Sequence, residues 1–303
     1  MRSFLVVLLF AVVLASCKKE EQVVFTGNTI APYSEIPTIL TENYANRLYI
    51  DLIGREPTDE EMVADVAILE AADLSNSSRI QVINKLMYSQ DAVPGDTVSY
   101  NISYFSKLYE DTKARLLEGT SEADLQDEYY LLYYVAQLDS MNGNMTGYEL
   151  LMIEANKMKD VLDSREELRL EQIDIREMYR RMFFNNVYDQ INMNTFNFIN
   201  ATFDGNYYRF PTEAELEQCF PPIEYNGSGI LFGDVISSKV EYLEVLLGNA
   251  EYSEGLIRWC YLSMLNREPT DTEIFNLLDE VNQGYDVQAV QQFILTTDEY
   301  AGF

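Results

Sequence analysis

Histidine is absent from all 303 residues, tryptophan occurs once, cysteine three times, and lysine plus arginine number 21 against 50 aspartates and glutamates. Each shortage removes a class of chemistry. Without an imidazole there is no Ser-His-Asp or Cys-His catalytic machinery, no histidine zinc site and no Glu-x-x-His di-iron motif. The scarcity of cations leaves a formal charge of −29 and a pI near 4.2. Such a surface repels phosphate backbones and argues against a nucleic-acid partner. The apolar run Phe4–Ala15 holds 12 residues, too few to cross a bilayer that needs about 20. No proline lies between Gly95 and Gly205, and neither proline nor glycine lies between Gly147 and Gly205. A β-rich chain with frequent turns would not leave such a gap, so the expected fold class is all-α. What is plentiful is apolar: 47% hydrophobic and 13% aromatic residues exclude a disordered acidic tail and predict a folded globular chain.

Residues 1–16 read as a secretory signal, with Arg2 before the apolar run. The run ends in Leu14-Ala15-Ser16-Cys17, which resembles the lipobox of bacterial lipoproteins. That resemblance implies cleavage before Cys17 and acyl chains on Cys17 as the new N-terminus. Lys18-Lys19-Glu20-Glu21-Gln22 follows and resembles the export signal that sends Bacteroidota lipoproteins to the outer face of the outer membrane. Residues 17–41, with Pro32 and Pro37 and no sustained periodicity, read as an extended tether. Cleavage would remove one cation, Arg2, leaving 20 against 50 carboxylates and a charge of −30.

The most informative feature is internal repetition. Arg47–Met62 aligns with Trp259–Ile274, and both contain the string Arg-Glu-Pro-Thr-Asp. A weaker copy lies at Asn206–Leu216, so Arg-x-Pro-Thr-x-x-Glu occurs three times. A matching close follows in Phe293–Tyr300 and Val245–Tyr252, and more loosely in Leu86–Asp91. These predict three helical cassettes at 42–93, 198–252 and 253–303, with helical hairpins inserted at 94–197. Within each opening, Gly54 or Asn266 suits a left-handed helix end, and Arg55, Arg209 and Arg267 fall where a cation favours the carbonyl terminus. Pro57, Pro211 and Pro269 stop the helix. Thr58, Thr212 and Thr270 then cap the next one, with Glu61, Glu215 and Glu273 closing capping boxes worth about 1 kcal/mol each. The cassette resembles a helical domain of unknown function in secreted and surface proteins, in which a Leu-Gly-Arg-Glu-Pro-Thr turn leads to a Phe-x-x-Ser-x-Glu-Tyr close. Its first copy also resembles the helical domain that accompanies cytochrome-like proteins of Planctomycetes. The Cys-x-x-Cys-His haem site of that chemistry has no counterpart here, so the resemblance implies fold and neither cofactor nor catalytic residues.

In the insert, helices are expected at about Ser99–Leu117 and Glu122–Asp139. Two more, or one broken near Asp163, are expected beyond, because Ser164 and Glu167 have capping-box spacing. Glu166, Glu167, Glu171 and Asp174 read as a solvated face. Asp139–Glu149 faintly resembles a calcium loop, but Met141 stands where the third position needs an oxygen ligand, and no metal site is assigned. Cys219 and Cys260 read as buried thiols, with a disulfide as the alternative, and Trp259 as core. The 22 tyrosines include the pairs Tyr129-Tyr130, Tyr133-Tyr134 and Tyr207-Tyr208, which divide between core and surface. These features predict a non-enzymatic structural or interaction subunit, lipid-anchored at the bacterial outer membrane through Cys17 and facing outward, in a transport, secretion or motility assembly. The alternative is a glycan-binding lipoprotein of nutrient uptake that uses exposed tyrosines and carboxylates. A third reading is a carboxylate-based hydrolase, which would need two carboxylates facing across a deep cleft.

Overall fold

Helix starts are encoded as side-chain caps. Of the fifteen helices among the described residues, fourteen begin at a Ser, Thr, Asn or Asp whose side chain accepts a first-turn backbone N–H. The exception starts at Pro37, where the fixed proline φ suits helix initiation. The computed structural model describes residues 36–92, 95 and 98–303, and Ile36–Phe303 cluster as one unit. The signal segment, Cys17, Lys18, Lys19, Glu20, Glu21 and most of the tether lie outside the described residues.

The fold is all-α. The first repeat supplies α1 (Thr38–Ile53), α2 (Asp59–Ala71) and α3 (Asn76–Tyr88). The insert supplies α4 (Tyr100–Leu116), α5 (Glu122–Met141), α6 (Met145–Arg169), α7 (Ile175–Phe183) and α8 (Asn186–Asn192). The second repeat holds α9 (Thr195–Tyr207), α10 (Glu213–Tyr225) and α11 (Lys239–Gly248). Between α10 and α11 lies a small antiparallel hairpin, β1 (Gly229–Leu231) and β2 (Asp234–Ile236), with Ile230 opposite Val235. The third repeat holds α12 (Ala250–Leu265), α13 (Asp271–Gly284), α14 (Val287–Leu295) and α15 (Asp298–Ala301). No helix among the described residues is long and apolar enough to cross a membrane.

Several boundaries differ from the sequence expectation. Helix α6 runs unbroken past Asp163. Ser164 is fully buried and its hydroxyl donates back to the Asp160 carbonyl at 2.6 Å, while Glu167 accepts from Arg181. Ser164 therefore spends its hydroxyl inside the helix instead of starting a new one. The break falls at 170–174, where Asp174 caps α7 by accepting from the Glu177 N–H at 2.7 Å. Helix α12 begins at Ala250, so the close of the second repeat and the opening of the third share one helix.

Tyrosine carries much of the core. Ten of the twelve largest fully enclosed side chains are tyrosines. A run of ring contacts passes from Tyr179 to Phe183, Tyr188, Phe198 and Tyr242 at centroid separations of 5.1–6.3 Å. It ties the insert to the second repeat through edge and tilted geometries that suit aromatic quadrupoles. Several buried hydroxyls find partners: Tyr44 donates to the Leu295 carbonyl at 2.9 Å, Tyr104 to Gln291 Oε1 at 2.6 Å and Tyr300 to Asp51 Oδ2 at 2.8 Å, whereas those of Tyr109 and Tyr252 have none among the described residues. These three bonds also join α1 and α4 to the last helices. Trp259 is buried, and Cys219 and Cys260 are buried free thiols. Burial pushes each of these thiols up to about 12.

Candidate functional site

The three Arg-x-Pro-Thr turns are built alike. Thr58, Thr212 and Thr270 each cap a helix, and Glu61, Glu215 and Glu273 return a carboxylate oxygen to the threonine N–H at 2.7 Å. Pro57, Pro211 and Pro269 sit directly before those caps. The arginines do more than face a helix terminus. Arg55, Arg209 and Arg267 each grip the capping glutamate through both terminal nitrogens at 2.7–3.0 Å. Each also donates to the carbonyl of the following residue, Glu56, Phe210 or Glu268. Behind each guanidinium, 5.1–5.3 Å away, stands the ring of the residue six positions earlier: Tyr49, Phe203 or Tyr261.

In two repeats the clasp is doubled by the close. Arg209 also binds Glu251, at 3.0 and 2.7 Å, and Arg267 also binds Glu299, at 2.6 and 2.7 Å. The repeated Glu-Tyr of the close was the available signal for this contact. The first repeat carries Gln90-Asp91 there, and the Tyr100 hydroxyl donates to Glu61 instead. All twelve cap residues are thus spent on local architecture.

Two buried carboxylates lie on one face of α2, one turn apart. Glu61 is 4% exposed; burial alone would raise it, but bonds from Arg55, the Thr58 N–H and Tyr100 hold it down at about 2. Asp65 is 1% exposed and accepts from Tyr49 at 2.8 Å and Lys85 at 2.5–2.6 Å. Both anions are fully engaged, and neither faces a partner carboxylate across an open cleft. Catalysis by a proton-sharing pair would need the opposite environment.

The surface of the α5–α6 hairpin is different in kind. From Tyr129 to Ile153 only Ala136 is buried. The stretch holds two charged residues, Asp139 and Glu149, and no cation. Tyr129 stacks on Tyr133 at 6.0 Å and Tyr130 on Tyr134 at 6.1 Å, with cross-contacts between the pairs at 5.2 and 5.7 Å. Tyr134 is 61% exposed, Leu138 57% and Met141 80%. The i, i+4 spacing places like residues in rows along one helix. Of the three tyrosine pairs, this pair of pairs is the solvent-facing one, whereas Tyr207 is buried and donates to the Leu246 carbonyl. The Asp139–Glu149 segment is closed by its own bonds: Asp139 accepts from Asn144, which in turn caps α6 at Gly147.

A cleft of about 680 Å³ opens where the end of α3, the first turns of α4, the α6–α7 loop and the α13–α14 turn meet. It shares Gln172, Ile173 and Asp174 with a neighbouring cleft of about 600 Å³. Glu171 and Asp174, read from sequence as a helix face, belong to this loop.

No protein-family model matches the chain, and neither a curated protein nor a solved structure is similar to it. The geometry above therefore carries the functional reading alone.

Proposed function

We propose that this chain is a non-enzymatic interaction subunit, held at the bacterial outer membrane by a lipidated Cys17, which presents the α5–α6 hairpin to a protein partner in a transport, secretion or motility assembly. One observation carries the reading: in a chain of net charge −29, the Tyr129–Ile153 stretch is nearly free of charge and exposes large hydrophobic side chains, among them Tyr130, Leu131, Tyr134, Leu138 and Met141. Contiguous exposed apolar surface of this kind marks association sites. Tyrosine, which brings large contact area at low rotamer cost, is enriched at such sites. Asp124, Asp127 and Glu128 rim the patch on α5, so the complementary partner face is apolar at its centre and basic at its edge.

A photo-crosslinking amino acid placed at Tyr134 or at Leu138 in living cells tests this. The expected result is one shared outer-membrane adduct from both positions, lost when Met141 or Leu131 is replaced by glutamate. Absence of an adduct, or adducts that survive those replacements, overturns the hairpin assignment. Cys17→Ala should release the protein from membranes; retention would refute the lipid anchor and leave the hairpin result standing.

A further inference from the structure

The guanidiniums of Arg209 and Arg267 are filled along two edges. Nη1 and Nη2 grip the capping glutamate, while Nε and Nη2 grip the glutamate of the close, Glu251 or Glu299. Arg55 is filled along the first edge only. Its Nη1 and Nη2 hold Glu61 at 2.8 and 2.7 Å, and its Nε has no acceptor among the described residues. The side chain is 31% exposed, and Nε is not one of the buried unpaired atoms, so solvent reaches this N–H.

The chain's own counterpart does not reach it. Glu251 and Glu299 stand four residues past the buried Leu247 and Leu295, and four past the buried Met87 is Asp91. Asp91 is one methylene shorter and exposed, and its carboxylate accepts from Ser89 Oγ at 3.0 Å. Helix α4 brings a tyrosine to this clasp instead of an acid. The Tyr100 hydroxyl donates to Glu61 and supplies nothing to Arg55.

The filled repeats identify the ligand class. Both equivalents of the open edge hold a carboxylate by two parallel bonds, the geometry that a guanidinium fork matches. The Arg55 fork is already oriented by Glu61, by the Glu56 carbonyl and by the Tyr49 ring 5.3 Å away, so a ligand has little left to order. Glu56, Asp59 and Glu60, exposed beside it in the chain, disfavour a phosphate dianion or a polyanion. A single carboxylate is what fits.

We infer that the open edge of Arg55 is a carboxylate-binding site, which takes from outside the chain the acid that Glu251 and Glu299 supply in the other repeats. The acid is the side chain of a protein glutamate or a free small carboxylate, since one fork serves both. The site is separate from the α5–α6 hairpin and stands whether or not the hairpin engages a partner.

Nitrogen–proton NMR spectra of the full-length protein read the arginine Nε–H groups directly, and Arg55→Lys identifies the Arg55 signal by its loss. The probes are acetate, acetyl-Gly-Glu-Gly-amide, acetyl-Gly-Gln-Gly-amide and methyl phosphate. The expected result is a saturable shift of the Arg55 signal with acetate and with the glutamate peptide, and none with the glutamine peptide, while Arg209 and Arg267 stay in place. Glu251→Ala opens the same edge on Arg209, which should then respond as Arg55 does, without any change to the first repeat. Half-saturation by the glutamate peptide at a concentration roughly threefold or more below that of acetate assigns a protein source; equal or weaker binding assigns a small acid. The inference is overturned if Arg55 moves no more than Arg209 and Arg267 in the wild type, or if the glutamine peptide moves it as far. Tighter binding of methyl phosphate than of acetate, or a silent Arg209 in Glu251→Ala, overturns it equally.

Discussion

The Asn206 carbonyl oxygen lies 1.7 Å from the point where a β-carbon on Gly255 would stand. Helices α9 and α12 therefore cross with backbone against backbone, and no side chain fits between them. Gly255 sits mid-helix, where glycine is ordinarily a liability of about 1 kcal/mol against alanine. Here the order reverses. Gly255→Ala is expected to destabilise by on the order of 3 kcal/mol or more, because backbone must move to admit the methyl group. Chemical denaturation midpoints will measure it, and a neutral or stabilising alanine would contradict the crossing geometry.

The three clasps look alike but differ in burial, and their removal should differ accordingly. Arg55 serves Glu61, which is 3% exposed at the side chain, whereas Arg267 serves Glu273 and Glu299, at 27% and 50%. Arg55→Ala strands a buried carboxylate and should cost about 1.5–3 kcal/mol. Arg267→Ala returns its partners to water and should cost roughly 1 kcal/mol or less. Equal losses would mean that burial does not control the clasp.

Acid should undo these clasps in a defined window. Glu215 and Glu273 are each held down at about 2 chiefly by their arginine, and Glu61 reaches about 2 against the opposing effect of burial, from an ordinary 4.5. A carboxylate whose folded pKa lies below its unfolded value stabilises the native state fully above the unfolded value. That contribution drains as pH falls through the folded one. Stability from these groups should thus be flat from pH 7 to about 5 and decline between about 4.5 and 2. A Glu215→Gln/Glu273→Gln variant should start less stable at pH 7 and lose less on acidification. Parallel melting curves for the two proteins across that range would refute the assignment.

Asp65, Tyr49 and Lys85 form a second buried unit whose members depend on each other. Lys85→Met leaves the Asp65 carboxylate with the Tyr49 hydroxyl alone and should cost about 3–5 kcal/mol. Adding Asp65→Leu should recover part of that loss, giving a coupling of up to about 3 kcal/mol in a double-mutant cycle. Additive losses would show that the pair is not a unit.

Much of the architecture was legible in the residues because it is local. Capping boxes at Thr58, Thr212 and Thr270 follow from a threonine and a glutamate three positions on, and helices α4 and α5 follow from periodicity between Ser99, Gly119 and Gly143. The Asp163 break failed because Ser164 is a cap only when the preceding turn does not already take its hydroxyl, and burial decides that. The β1–β2 hairpin was hidden by shortness: three residues per strand carry too little alternation to register. The Arg209–Glu251 and Arg267–Glu299 grips span 42 and 32 residues, beyond the reach of any spacing rule. The hairpin tyrosines were visible as pairs, but which pair faces solvent depends on what the rest of the chain covers. The cleft is assembled from four separate segments, so its polar lining had no linear signature.

The contacts that bring the last helices onto α1 have a consequence for how the chain is made. Tyr44 reaches Leu295, Arg47 reaches Tyr300 and Arg79 reaches Thr296, separations of 251, 253 and 217 residues, so the first repeat finishes its core only with residues made much later than its own. Until those residues emerge, α1 offers unsatisfied aromatic surface. A nascent chain still short of Leu295 therefore cannot close this part of its core.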